Sequence, residues 1–249
     1  MIKATTLSTS LRALAGVTLV AGLAACSGAS RTQPAGINDP HEPSNRKIHA
    51  LNQKIGGSGK PNRVAAAVPT EFQSVIHNVS ENLSMPQAAV NSALQADFAG
   101  FGLATYRFLV NSTLGMGGLF DVASDFKVPE HDTDFGETLY VWGVGEGPYY
   151  ELPVLGPSTR RDTAGRVVDL FTNPLSYTLD SPEKYVGTVT GYADSVFEKN
   201  RRIVNGQQVP MSAAGDSYAQ ARQEYLQQRR ADLARPTSIA ATTGPRSTN

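Results

Sequence analysis

Between residues 111 and 162 the chain turns too often to form a long helix or a broad sheet. This stretch holds Gly115, Gly117, Gly118, Gly136, Gly143, Gly145, Gly147 and Gly156, together with Pro129, Pro148, Pro153 and Pro157. Glycine reaches positive φ without steric cost and proline removes a backbone donor, so such a run interrupts regular elements repeatedly. Trp142, Tyr149 and Tyr150 lie within it, whereas disordered linkers are poor in aromatics. The expectation is an ordered set of tight turns packed by aromatic rings, with short helices between them. Residues 135–142 read as one such helix, with Asp134 and Glu137 at its start and Gly143 at its stop.

Helical signals dominate on both sides. Asp39-Pro40 reads as an N-cap with a first-turn proline, and Ile48, Leu51 and Ile55 fall on one face before Gly56-Gly57-Ser58-Gly59-Lys60-Pro61 breaks the helix. Thr70 with Gln73 reads as a capping box, followed by the apolar stripe Phe72, Val75, Ile76, Val79 and Leu83. Ser84 before Pro86 predicts a new helix with Val90 and Leu94 on its apolar side. Asp97 caps a further one carrying Phe98, Phe101, Thr105, Phe108 and Leu109. After the centre, helices are predicted at Ser158 and at Ser181-Pro182-Glu183. The latter carries Tyr185, Val189, Tyr192, Val196 and Ile203 at helical spacings. A polar, arginine-rich helix over about residues 216–233 precedes a tail, 235–249, that reads as disordered. Little sustained period-two alternation occurs. The predicted class is all-α, several amphipathic helices around a Gly/Pro/aromatic-rich centre.

The N-terminus sets a compartment. Lys3 and Arg12 precede an uncharged apolar run that ends in Leu23-Ala24-Ala25-Cys26, the n-region, h-region and small-residue cleavage site of an exported chain. A cysteine at that place, with Leu three positions before it, is the pattern of a bacterial lipobox. Residues 1–25 are thus a predicted lipoprotein signal peptide, Cys26 the lipid anchor, and 26–37 a small, polar, flexible tether. Three acyl chains on one residue exceed what stable anchoring needs. Residues 38–234 then form the helical domain.

The chain has 22 basic and 22 acidic residues. Losing Lys3 and Arg12 leaves 20 against 22, a balance that argues against nucleic-acid binding. Cys26 is the only cysteine, so no thiol remains for a disulfide, a metal or a nucleophile. No later run approaches the roughly 20 apolar residues of a spanning helix.

Catalytic signatures are missing. No Gly-x-Ser-x-Gly elbow occurs, and Gly156-Pro157-Ser158-Thr159 reads as a loop ending in a helix cap. His41, His49, His77 and His131 are scattered; His131-Asp132-Thr133-Asp134 reads as a solvated acidic turn rather than a metal site. Ser176 and Ser195 have no base that sequence can identify. Glu42 with Asp39, and Asp162 with Asp169, read as caps and helix-surface charges. Gly115-Met116-Gly117-Gly118 lacks the Lys-Ser/Thr of a P-loop. The reading is a protein without catalytic function, metal or cofactor.

Several longer motifs in order have a more specific likeness. Asn111-Ser112-Thr113-Leu114-Gly115-Met116-Gly117-Gly118-Leu119-Phe120-Asp121 resembles the MlaA (VacJ) family of outer-membrane lipoproteins. So do Asp134-Phe135-Gly136-Glu137-Thr138-Leu139 and Val141-Trp142-Gly143-Val144-Gly145-Glu146-Gly147-Pro148-Tyr149. Leu152-Pro153-Val154-Leu155-Gly156-Pro157-Ser158-Thr159-Arg160-Arg161-Asp162 continues the match. The resemblance runs from about residue 38 to 230. It implies a ring-like helical disc embedded in the bilayer around a channel for one lipid, anchored from the periplasmic side of the outer membrane. It implies removal of stray phospholipids from the outer leaflet, association with a trimeric porin, and hand-over to a soluble periplasmic carrier of the MlaC type.

On that footing the phospholipid path is expected to involve Asn111, Gly115, Gly117, Gly118, Asp121, Phe135, Leu139, Trp142, Gly143, Gly147, Tyr149 and Arg160. Two readings stay open for Phe135, Leu139 and Trp142, core or channel wall. Two also stay open for Arg160, a phosphate contact at a helix start or a clamp on Asp162. A lipoprotein that only scaffolds a porin or envelope complex is the alternative function, and an envelope lipase a more distant one.

Overall fold

The computed structural model describes residues 36–56, 62–205 and 215–234. Cys26, the signal segment and the C-terminal tail lie outside the described residues. The mostly helical architecture expected from the sequence is present, with one two-stranded hairpin added.

Helix α1 (Glu42–Gly56) starts later than Asp39-Pro40 suggests. Asp39 is not its N-cap; its carboxylate instead accepts from Asn45 Nδ2, the Tyr218 hydroxyl and Arg222. A short α2 (Arg63–Ala67) follows, and then α3 (Thr70–Leu94). The capping box at Thr70 does not form. Pro69 occupies the cap position, and Gln73 turns its amide back to the Ala65 and Val68 carbonyls, closing the α2–α3 corner. Nor does a new helix open at Ser84: Pro86 lies inside α3. The Ser84 hydroxyl donates to the Glu81 carbonyl, which helps satisfy the local backbone.

Helix α4 (Phe98–Thr113) begins where Asp97 accepts from the Gly100 N–H, as its sequence predicts. It crosses α3 on Met85, Ala88, Ala89 and Ala104, with Phe108 alongside. Small side chains at this crossing let the two backbones approach closely. Helix α5 (Val122–Asp125) is capped by Asp121, and α6 (Phe135–Val141) by Asp134 at Glu137 N, 2.8 Å.

The hairpin was not legible in the sequence. Strand β1 (Tyr149–Leu152) pairs antiparallel with β2 (Gly156–Thr159), Tyr149 opposite Thr159 and Leu152 opposite Gly156. Ser158 is therefore a strand residue, and Thr159 is the cap of α7 (Arg160–Thr172), accepting from Asp162 N. The outer edge of β1 is closed by a helix. Asn45 donates to the Tyr149 carbonyl and accepts from Glu151 N, while Asn52, two turns along, treats Leu152 O and Val154 N in the same way. Two side-chain amides thus stand in for a third strand and leave little edge to template another chain.

After α8 (Leu175–Thr178) and a 3₁₀ turn (Glu183–Tyr185), α9 (Val186–Val204) packs against α3. Ser181 provides no side-chain cap here. The last helix, α10 (Ser217–Leu233), spans the predicted range and is capped by Asp216. Its arginines are not a solvated face. Arg222 holds Asp39, Arg229 holds Asp134 and Asp162, and Arg230 holds Glu146. Tyr218 and Leu226 pack with Tyr149 in a small core. Asp162 and Asp169, read from sequence as surface charges, both face the interior: Asp162 is buried and Asp169 accepts from Gln87, Asn91 and the Phe135 N–H.

Candidate functional site

Burial is reversed over much of the molecule. On α3 and α4 the buried side chains include Gln73, Asn82, Asn91, Ser92, Arg107 and Asn111, while Phe72, Phe98, Phe101, Tyr106 and Leu109 are exposed. Phe98 is 74% exposed and Arg107 only 1%. The exposed apolar set continues through Leu114, Met116, Phe120 and Phe126. A second set follows in Val167, Leu170, Phe171, Tyr177, Tyr185, Val186, Val189 and Tyr192. The stripe predicted for α9 is thus an outward face at its N-terminal half, because amphipathic spacing reports two faces without saying which one meets water. Exposed apolar area of this extent marks a surface with a partner. Among the described residues no helix is long and apolar enough to cross a membrane.

The buried polar face is hydrogen-bonded in a chain. Arg107 donates to both oxygens of Asp121 at 3.1 and 3.0 Å and to the Val128 carbonyl at 2.7 Å. Asn111 donates to Asp121 at 2.9 Å and accepts from Ala123 N at 2.9 Å. Burial alone would raise the Asp121 pKa, but Ser124, Asn111 and Arg107 outweigh it and hold the carboxyl below its ordinary value. Across α3, Asn82 donates to Ser112 Oγ, and Asn91 donates to Asp169.

Five of the expected path residues, Asn111, Gly115, Gly117, Gly118 and Asp121, form one knot against α3. Gly118 has φ +95°, and a Cβ there would lie 2.6 Å from Asn82 Cβ; a Cβ at Gly115 would lie 2.2 Å from the Phe120 carbonyl oxygen. Both glycines are therefore required by close approach, and Gly118 by its backbone angle as well. A second group lies around α6. Phe135 and Leu139 are core, packed on Val168, and Gly165 of α7 presses on the α6 backbone at Gly136. Trp142 is at the rim, its indole N–H on the Leu94 carbonyl at 3.0 Å and its ring edge-on to Phe135. Gly143 ends α6 at φ +89°, Gly147 turns the chain at φ +73°, and Tyr149 is buried beneath α10. Arg160 is exposed and packs over Gly147. It is Arg161, not Arg160, that pairs with Asp162, at 3.2 Å.

Acidic groups gather where α3 and α9 meet the 130–134 turn. The Glu81 carboxyl is pushed up to about 7 by burial, then by Asp132, Glu130 and Asp194, with His77 opposing. Burial also raises Asp132 and Glu137. Asp162 goes the other way: its burial is outweighed by Arg229 and Arg161. His131, read as solvated, is mostly covered and hydrogen-bonded to Ser92 at 2.9 Å. Among the described residues no group of three or more His, Cys, Asp or Glu could hold a metal ion.

Sequence reasoning missed Asn82, Asn91, Arg107, Asp169 and Arg229. The signal available for them was polar residues at helical spacing, Asn82 with Asn91 and Arg107 with Asn111, on faces opposite the apolar stripes.

Comparison with known proteins gives this geometry a family. The MlaA lipoprotein family model matches residues 37–232. A protein of Escherichia coli K12 named intermembrane phospholipid transport system lipoprotein MlaA is 38% identical over 176 residues, 67% of this chain and 68% of that protein. An uncharacterised protein of Rickettsia felis is 36% identical over 149 residues, 57% of this chain; the match spans 58% of the Rickettsia protein's length. A solved structure, described as "Structural basis for maintenance of bacterial outer membrane lipid asymmetry", superposes with a TM-score of 0.64 at 30% identity. That match covers 79% of this chain and 99% of the other. The chain belongs to the MlaA lipoprotein family.

Proposed function

We propose that this chain is a lipoprotein anchored through Cys26 to the periplasmic side of the outer membrane. There it withdraws phospholipids that have strayed into the outer leaflet and passes them to a soluble periplasmic carrier of the MlaC type, beside a trimeric porin. The reversed burial carries this reading. In water each exposed Phe or Leu of the outward set forgoes about 1.5–3 kcal/mol that burial would return; inserted in acyl chains, the same residues recover it. A polar interior then gives a lipid head group somewhere to go. The turns around Asn111, Gly115, Gly117, Gly118 and Asp121, and those at Gly143 and Gly147, frame the passage. Trp142 and Arg160 lie on its accessible wall, and Phe135, Leu139 and Tyr149 sit in the supporting core. Backbone that is not helical is tolerated at membrane depth where it faces protein or a watery cavity. Lipid passage of this kind makes and breaks no covalent bond.

The test is a gene deletion, with outer-leaflet phospholipid read by an acyltransferase-based surface assay. Surface phospholipid rises in the deletion strain and returns to normal with the wild-type gene, but not with a Phe98→Glu/Leu109→Glu variant. An unchanged signal in the deletion strain overturns the proposal. Photo-crosslinkers at Trp142 that trap porin but never phospholipid would favour the scaffold.

A further inference from the structure

One face of α1 points away from the fold and differs in chemistry from every outward face described above. Asn45 and His49 are buried and Asn52 is drawn to the hairpin. The opposite side of the helix, with Lys47, Ala50, Leu51, Lys54 and Ile55 at helical spacings, is exposed. Among the described residues neither lysine has an ion-pair partner. The Glu42 carboxylate of the same helix is already shared by Arg46 and Arg222.

The hairpin turn extends this face. Asn52, which donates to Leu152 O at 2.9 Å and accepts from Val154 N at 2.7 Å, stands on the helix between Ile48 and Ile55. Leu155 N donates to Pro153 O at 2.7 Å, so Val154 is the centre of a γ-turn at φ +66°. A β-branched residue seldom takes that left-handed angle. The turn holds Val154 and Leu155 outward, 52% and 61% exposed, on the flank where Ile55 is 55% exposed.

This chemistry suits a lipid surface better than a protein. Protein interfaces are built around aromatic residues, Met and Arg and are poor in Lys, whereas this patch has lysines and no ring. Basic side chains beside aliphatic ones are the make-up of helices that lie in the head-group layer, with the ammonium at the phosphates and its stem along the acyl boundary. The outward face of α4 is the reverse case, rich in rings and without lysine. The chain's point of entry agrees with such a place. Tyr149 N donates to Asn38 O, so the polypeptide joins the fold at the hairpin. Gly36 follows Cys26 by ten positions, at most ~35 Å of chain.

We propose that Lys47, Leu51, Lys54 and Ile55, with Val154 and Leu155 of the hairpin, dock on acidic phospholipid head groups of the leaflet that holds the anchor. This rests on the reading of Cys26 as the lipid anchor. Acyl chains on a tether leave the domain free to swing, and the docked face adds a second, charge-dependent contact that fixes its tilt. Each lysine at an anionic surface shifts the docked-to-free ratio roughly fivefold, so the pair shifts it roughly 25-fold.

The test uses the full-length acylated lipoprotein with Ala50→Cys carrying a nitrobenzoxadiazole dye, the Cys26 thiol being occupied by lipid. It is reconstituted in vesicles whose lipids carry a head-group nitroxide. Strong quenching is expected in phosphatidylcholine with about one-third phosphatidylglycerol, and weak quenching in phosphatidylcholine alone or in ~0.5 M salt. Lys47→Gln/Lys54→Gln is expected to lose the phosphatidylglycerol effect; both side chains are exposed, and circular dichroism checks that the variant is folded. A dye on Leu109→Cys, with nitroxide in the acyl chains, reports whether the body itself is inserted. Quenching at Leu109→Cys with none at Ala50→Cys overturns the docking and leaves the membrane reading standing. So does equal quenching at Ala50→Cys in both lipids, or in the folded lysine variant. Shielding of Ala50→Cys only when a soluble carrier is added assigns the face to a protein and overturns it too. No quenching at either position overturns the membrane reading together with the docking.

Discussion

Glu81→Gln is expected to stabilise the protein, and only above a defined pH. The Glu81 carboxyl titrates near 7 in the fold, against 4.5 ordinarily, because burial, Asp132, Glu130 and Asp194 oppose its charge more than His77 supports it. A folded pKa above the unfolded one means the native state binds the extra proton between those values. Stability is therefore full below about pH 4.5, declines as pH rises towards 7, and is level above it. At ~1.36 kcal/mol per pH unit of displacement the full cost is ~3 kcal/mol. Glu81 keeps partial contact with solvent, and screening there reduces the cost to about 1–2 kcal/mol. For a domain of this size that corresponds to about 2–8 °C in Tm. Thermal melts of wild type and Glu81→Gln in detergent at pH 4.5 and pH 8 make the comparison, since other titrating groups are common to both proteins. The variant should melt higher at pH 8 and within a degree or so at pH 4.5. A variant that is less stable at pH 8, or offset equally at both pH values, would refute the electrostatic reading of this cluster.

Other perturbations test other parts of the fold. Gly118→Ala forces a Cβ to 2.6 Å from Asn82 at φ +95° and should cost about 2–4 kcal/mol in chemical denaturation, whereas Gly102→Ala, with open space around it, should be neutral or mildly stabilising. Arg107→Met takes two donors from the Asp121 carboxylate, which keeps Asn111 and Ser124, and should cost about 1–3 kcal/mol, seen as a lower denaturation midpoint that Asp121→Asn in the same chain partly restores. Phe98→Glu should leave the melt in detergent almost unchanged while reducing retention in liposome flotation, because that side chain is 74% exposed. Below pH 4 the fold should lose the stability held by Asp162, whose carboxyl is kept below its usual value chiefly by Arg229 and Arg161 against its burial. Arg229→Met should shift that acid midpoint upward, measured by tryptophan fluorescence.

What could be read from the sequence was local, and what could not was a matter of partners far along the chain. Helix α6 was legible because Asp134, Glu137 and Gly143 act within its own length, and α4 because Asp97 caps the helix that directly follows; for α10 the extent was legible but not the Asp216 cap. The hairpin escaped because its strands are four residues each and the segment carries Pro153, Pro157 and Gly156, while the groups that close its edge, Asn45 and Asn52, come from about a hundred residues away. Proline-breaking logic failed at Pro86 for a related reason: neighbours, not propensity, decide whether a helix continues through it. The deepest gap was the direction of the apolar faces. Spacing placed Phe72, Phe98 and Leu109 on stripes correctly, but a stripe alone does not say whether it meets a core or a bilayer.

Here the interior is instead organised by Asn82, Asn91, Arg107, Asn111, Asp162 and Arg229, groups that must be paired to be buried at all. An apolar core tolerates a lost methylene at modest cost, whereas each of these polar groups loses its partner's compensation when truncated. Asn91→Leu removes a donor from Asp169 and an acceptor from Thr138, yet Met85→Leu changes little but shape. Tolerance to substitution should therefore run opposite to the order expected of a water-soluble bundle, with the inward amides strict and the outward Phe and Leu positions open to any apolar residue. That reversal is what the glycine-rich centre makes possible. Gly115 and Gly118 let the chain fold back tightly enough for Asn82 to reach Ser112 and the Gly117 carbonyl and for Asn111 to reach Asp121, so the same residues that break the helices close the polar interior.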